Sequence, residues 1–189
     1  MRFRVIVGSL AVVLAISLGF NFYYYSAMVS KLAAISDMQG IILVTWAKQM
    51  SVASYHLEDV TTNIGVHGVR PLLQTASDIA WSAEISDGTL YWQMSHTAIY
   101  VSDELGPYEE GYPTYVKLIN STAIEMIKNL AQKIRETAGL ILNESISGQD
   151  GANFIQRLKE NGIQDEIISG CVDIQNLSRQ IYDFNPKFQ

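Results

Sequence analysis

The chain has 189 residues, of which 48% are hydrophobic and 17% charged, with a formal net charge of −6 at pH 7. Its single cysteine excludes an internal disulfide. All nineteen acidic residues but only eleven of the thirteen basic ones lie beyond Met28, so this part carries a net charge of −8. A surface with that charge is a poor partner for nucleic acid or for anionic lipid headgroups.

The first predicted element is a membrane-spanning helix. Residues 5–25, VIVGSLAVVLAISLGFNFYYY, contain no charged side chain, and about 20 such residues in a helix cross a hydrocarbon core of ~30 Å. Three tyrosines end the stretch, where amphipathic rings favour the headgroup layer. Two arginines precede it. Positive charge is retained on the cytoplasmic side, so we expect a cytoplasmic N-terminus and an extracytoplasmic remainder at the cell membrane.

A cleaved signal peptide is the alternative, because both kinds of segment begin with basic residues before an apolar run. The run here is longer than the ~7–15 residues of a signal peptide, and the small-residue cleavage pattern is poor near Ala27. The best alternative cleavage site is Ser17-Leu18-Gly19. We therefore predict a short cytoplasmic segment, 1–4, and a retained single-pass signal-anchor helix, 5–27.

Ala11, Ala15 and Gly19 recur every four residues on one face of this helix. Small residues at this spacing let two membrane helices approach closely, which would favour contact with a second membrane protein or a homodimer. Alanine and glycine are also common in any membrane helix, and this simpler account is the preferred one. The predicted partners are thus the membrane and, as a hypothesis, another membrane helix.

The rest of the chain, residues 32–185, has the size of one domain and a helical pattern. Apolar residues advance by threes and fours, whereas no run shows the two-residue alternation of a half-buried strand. We predict an all-α fold in which the membrane helix leads into an antiparallel, four-helix-type bundle. The predicted helices cover residues 35–64, 72–105, 114–145, 151–161 and 163–184.

Two positions interrupt the regular helical pattern. Ser86-Asp87-Gly88 interrupts the second helix, and we expect a kink there rather than an end. No proline lies between Val5 and Gly68. The membrane helix is therefore expected to continue into the domain as one rod, with a weak point at Gly40.

Motifs for catalysis, metal binding or cofactor binding are absent from the sequence. His56, His67 and His96 stand in no HExxH or ExxH context, and Cys171 has no neighbour that would lower its pKa. We predict no catalytic residue, no metal site and no cofactor, and interpret Cys171 as a small buried hydrophobe.

Aromatic residues form the one cluster that suggests a ligand. If the first two helices fold back around residue 68, residues near 46 lie opposite those near 91, because antiparallel partners are equidistant from the turn. Such rings could wall a pocket for a small organic ligand, although ordinary core packing is the preferred interpretation. The predicted layer comprises Trp46, Tyr55, Trp81, Tyr91 and Trp92.

These features predict a membrane-anchored extracytoplasmic bundle that serves as a noncatalytic interaction or ligand-binding module. The layout resembles the sensory half of bacterial and archaeal chemoreceptors and histidine kinases, without a second span. The alternative function is a small exported enzyme whose active-site residues converge only in three dimensions. A deep pocket with convergent titratable groups would favour the enzyme, and a filled core with an exposed apolar stripe would favour the interaction module.

Overall fold

The computed structural model of the chain describes residues 2–61, 63–82, 88–109, 111, 117–118, 120–147 and 151–184. Throughout these residues the regular structure is helical and no strand occurs, so the predicted all-α class is confirmed. The helices are α1 (Arg2–Glu58), α2 (Asn63–Val66), α3 (Val69–Trp81), α4 (Gly88–Leu105), α5 (Ser121–Ser147), α6 (Gly151–Glu160) and α7 (Ile163–Asp183), with a 3₁₀ turn at Gly106–Tyr108.

Helix α1 is continuous over 57 residues. It joins the predicted membrane segment to the domain, and no proline removes a backbone hydrogen bond along its length. Toward its C-terminal end one face is fully buried at Leu43, Trp46, Met50, Ala53 and Leu57. That face has the three-four spacing of a helix stripe, so this end of α1 belongs to the core.

The predicted second helix, 72–105, is two helices in the structure. Helices α3 and α4 pack against each other, and the hydroxyl oxygens of Ser77 and Ser95 lie 3.0 Å apart. The chain therefore reverses direction where we expected only a kink. Serine, aspartate and glycine are turn-forming residues, and reversal lets both halves bury an apolar face against each other. Residues 83–87 lie outside the described part.

The other helix ends differ from prediction by smaller amounts. Helix α1 stops at Glu58, six residues before the predicted end. Helix α5 begins at Ser121, where the side-chain oxygen of Asn120 accepts a hydrogen bond from the Thr122 amide at 2.8 Å. This is an N-cap, which satisfies a free helix N–H and marks the start of a helix. Residues 114–116 lie outside the described part, and α6 and α7 end within a residue of their predicted bounds.

Among the described helices, five form a closed ring through their most extensive contacts. Helix α1 packs against α3 and α5, α4 packs against α3 and α7, and α5 packs against α7. The short helix α6 lies mainly on α1. The helical bundle thus contains five ring helices where the pattern suggested four, because the second one is divided.

Specific contacts give the directions of these helices. Lys133 Nζ lies 2.8 Å from Asp173, and Thr137 lies beside Gly170, so α5 and α7 are antiparallel. Thr97 contacts Gln175 and Glu104 contacts Arg179, so α4 and α7 are parallel. A parallel pair here follows from the extra reversal between α3 and α4.

Candidate functional site

Two of the five residues of the predicted aromatic layer lie in the core. Trp46 and Tyr91 are almost completely buried. The indole nitrogen of Trp46 donates a hydrogen bond to the Met94 carbonyl at 3.3 Å, and the Tyr91 hydroxyl donates to the Gln39 carbonyl at 3.4 Å. Buried indole and phenol groups usually find such partners, so these rings fill space between α1 and α4.

The other three rings are exposed and lie on three different helices. Tyr55 is 57% exposed, Trp81 57% and Trp92 42%. The guanidinium carbon of Arg135 lies 4.4 Å from the centre of the Tyr55 ring, and Trp92 stacks on His96 with 4.1 Å between ring centres. The five aromatic residues therefore do not surround one pocket.

The chain direction and the helix faces together explain why this layer does not form. The prediction assumed that the residues after the turn run antiparallel to α1 all the way to residue 105. The reversal between α3 and α4 instead makes α4 run in the same direction as α1, with Gln39 near Tyr91 and Trp46 near Met94. Trp46 meets α4 as expected. Tyr55 and Trp81 precede the reversal, and they lie on the surface because they fall outside the buried faces of α1 and α3.

The most buried carboxylate belongs to an ion pair between helices. Glu104 on α4 is 6% exposed, and its Oε1 accepts a hydrogen bond from Arg179 on α7 at 3.3 Å. Desolvation raises the pKa of Glu104, and the charge of Arg179 opposes the shift. Arg179 also contacts Asp183 at 3.2 Å. This arrangement joins α4 to α7 through an arginine shared by two carboxylates.

A second polar group borders a small cavity between α3 and the end of α4. The Glu109 carboxylate lies 3.6 Å from His67 and 3.8 Å from Arg70. The cavity beside it, which Ser102 also lines, has a volume of about 10 Å³. One water molecule needs roughly that space. A substrate or organic cofactor does not fit there.

Cys171 lies in the core and is unsuited to nucleophilic chemistry. Burial raises the pKa of its thiol to about 12, although a hydrogen bond with Thr97 opposes the shift. The thiolate is the reactive form of cysteine, and it is scarce at neutral pH under these conditions. Among the residues whose side chains the structure describes, no group of three or more histidine, cysteine or acidic residues could hold a metal ion.

The largest exposed apolar surface lies on α1, over residues 13–41, which we call the rod. Its large hydrophobic side chains point into solvent on all sides, whereas the buried face of α1 begins at Gly40. Of the described helices, only α1 is long and apolar enough to cross a membrane. Exposed large apolar residues of the rod are Val13, Leu14, Ile16, Leu18, Phe20, Phe22, Tyr23, Tyr24, Tyr25, Met28, Val29, Leu32, Ile35, Met38 and Ile41.

The predicted small-residue contact lies on this rod. Ala15 and Gly19 are exposed, and no atom lies within 4 Å of the position that a Gly19 side chain would occupy. The side chain of Ala11 lies outside the described part.

Sequence reasoning did not single out Met28 and Leu32, which extend the apolar face of α1 beyond the bundle, toward the N-terminus. Their signal was the same three-four spacing that located the core face.

No protein-family model matches the chain, and no curated protein or solved structure shows significant similarity to it. Its function must therefore be argued from its own residues. Within the described part, the surface that requires an explanation is the exposed rod, because contiguous apolar surface on a soluble protein normally marks a membrane or protein interface.

Proposed function

We propose that the chain is a single-pass membrane protein whose extracytoplasmic helical bundle is a noncatalytic interaction module. Residues 5–27 serve as the anchor, with the N-terminus in the cytoplasm. The observation that carries this proposal is the rod. In a single continuous helix, large apolar side chains are exposed all around the axis between residues 13 and 25, whereas from Gly40 onward one face of the helix is buried in the bundle.

A lipid environment accounts for this change along α1. A helix that is apolar on every side is stable when it is surrounded by protein or hydrocarbon. None of the other described helices surrounds the rod. About 20 residues span the hydrocarbon layer, and the charge-free stretch of residues 5–25 has that length.

The packing of the bundle supports an interaction module over an enzyme. Its core is closed by large side chains such as Trp46, Tyr91 and Met94, all nearly inaccessible to solvent. The cavity beside Glu109 is of water size. The surface, by contrast, retains apolar and aromatic groups, which is the combination that favours protein contacts. The described residues contain no feature that favours the alternative of an exported enzyme.

Membrane fractionation tests the anchor. We expect the full-length chain to sediment with membranes and to remain there after carbonate extraction, since an apolar spanning helix is not released by breaking ionic contacts. Protease added outside intact cells should digest the bundle, and a tag placed before Arg2 should survive until the membrane is permeabilised. A soluble form that begins near Phe20 or Met28 would contradict the anchor and favour the signal peptide.

A further inference from the structure

One buried serine differs from the others in its hydrogen bonding. Ser102 on α4 is 1% exposed, and its hydroxyl oxygen has no hydrogen-bond partner among the residues that the structure describes. The other buried serines of that part, Ser54, Ser77, Ser95 and Ser178, are all hydrogen-bonded through their hydroxyl groups. A buried hydroxyl without a partner is costly, so the surroundings of Ser102 require an explanation.

Ser102 lines the small cavity between α3 and the end of α4. The volume of this cavity, about 10 Å³, is roughly what one water molecule needs. Two charged residues, Arg70 and Glu109, line it together with Ser102. A buried water molecule makes about three hydrogen bonds to polar groups of the protein, and the cavity offers three such residues. The rest of its wall consists of Gly106 and four apolar residues, Val66, Val69, Leu73 and Leu105.

The charged groups beside the cavity are too far apart for direct hydrogen bonds. Glu109 Oε1 lies 3.6 Å from His67 Nδ1, and Glu109 Oε2 lies 3.8 Å from Arg70 Nη1. Charge-assisted hydrogen bonds from nitrogen to a carboxylate oxygen measure about 2.7–2.9 Å. The Glu109 side chain is only 16% exposed, so bulk solvent has limited access to it. Polar contacts of this length are commonly bridged by a water molecule.

The charges around the cavity favour a neutral occupant. Glu109 would repel an anion and Arg70 would repel a cation, because both residues line the same small space. The guanidinium group is a hydrogen-bond donor, the carboxylate is an acceptor, and the serine hydroxyl can act as either. A water molecule donates and accepts at once, so it can serve all three groups, whereas a monatomic ion cannot.

We propose that this cavity is a binding site for one ordered water molecule. The water donates a hydrogen bond to the Glu109 carboxylate, accepts one from the Arg70 guanidinium, and supplies the missing partner of the Ser102 hydroxyl. It thereby joins the first turn of α3, which carries Arg70, to the last turn of α4, which carries Ser102, and to Glu109 just beyond the 3₁₀ turn. The site does not depend on the membrane anchor.

A high-resolution crystal structure of the full-length chain tests the site directly. We expect a solvent peak at hydrogen-bond distance, about 2.7–3.2 Å, from Ser102 Oγ and from polar atoms of Arg70 and Glu109. A cavity that is closed by a protein side chain would overturn the proposal. A Ser102 hydroxyl that is bonded to a backbone carbonyl group instead of a solvent molecule would overturn it as well.

Serine-to-alanine substitutions test the site in solution. Ser102→Ala removes a partner of the water. Ser178→Ala is the matched control, because Ser178 is fully buried within a helix and its hydroxyl bonds to the carbonyl of Gln175 in the same helix. Both substitutions gain the same helix propensity.

We expect Ser102→Ala to unfold at a lower urea concentration than Ser178→Ala, because only Ser102→Ala also weakens the water bridge between Arg70 and Glu109. A higher midpoint for Ser102→Ala would show that the hydroxyl has no partner in solution, since removing an unsatisfied buried polar group is favourable. That result, or equal midpoints for the two variants, would overturn the proposal.

Discussion

The closest approach between α5 and α7 provides a sharp test of the bundle. Gly170 on α7 faces Thr137 on α5, and a methyl group at Gly170 would lie 2.8 Å from the Thr137 Cγ2 carbon. Real side chains do not approach this closely, so Gly170→Ala must push the two helices apart or displace the threonine. Gly139, on α5, is the matched control, because no atom lies within 4 Å of the position of its added methyl group.

The two substitutions should change stability in opposite directions. Overpacking a core costs about 1–3 kcal/mol, whereas replacing glycine by alanine inside a helix contributes up to about 1 kcal/mol. We therefore expect Gly170→Ala to lower the free energy of unfolding by up to about 2 kcal/mol, which is the overpacking cost less about 1 kcal/mol for replacing glycine in a helix. Gly139→Ala should raise it by up to about 1 kcal/mol. Urea unfolding of the purified chain, followed by circular dichroism, measures both.

A double variant identifies the cause of the loss. Thr137→Ala removes the two nearest atoms that the new methyl group would meet, the threonine Oγ1 and Cγ2, and leaves the Cβ at 3.1 Å. Adding it to Gly170→Ala should therefore recover part of the lost stability. The two substitutions should be clearly non-additive, as contacting residues are. If Gly170→Ala were as stable as Gly139→Ala, α5 and α7 would not approach as closely as described, and the reasoning would fail.

Four further predictions concern buried or ion-paired side chains. Trp46→Ala should lower the free energy of unfolding by about 3–5 kcal/mol, because it empties a buried site. Trp92→Ala, on the surface, should lower it much less in the same unfolding measurement. Similar losses would contradict the division of the aromatic residues into core and surface. Burial raises the pKa of Glu104, so its charge opposes folding above that pKa. Glu104→Gln should therefore match or exceed the parent in stability at neutral pH, with any difference disappearing in acid. A hydrogen bond from Arg135 lowers the pKa of Glu58, so Glu58→Gln should instead weaken the protein at neutral pH and lose its effect as the pH falls through the folded pKa. Cys171 should resist a thiol reagent in the folded protein and react after denaturation, and rapid reaction of the native chain would show that the core is open there.

The sequence by itself determined the helical class, the continuity of α1 and the position of its apolar N-terminal part. These properties depend on local spacing, on the absence of proline and on the run of uncharged residues, all of which are readable along the chain. The start of α7 was also predictable, because Asn161-Gly162 is a helix stop and Gly162 adopts the left-handed conformation, φ 73°, that glycine favours.

Only the tertiary structure decided how the helices are directed and which rings are buried. Whether Ser86-Asp87-Gly88 bends a helix or separates two helices depends on what each half can bury, and that depends on neighbours distant in sequence. The extra reversal made α4 run parallel to α1, with Trp46 buried between them. Tyr55 and Trp81 lie on the surface because they fall outside the buried faces of α1 and α3. The same packing left Met28, Leu32 and Ile35 of α1 exposed. Helical spacing shows which face of α1 is apolar, whereas the ends of the neighbouring helices decide how far that face is covered.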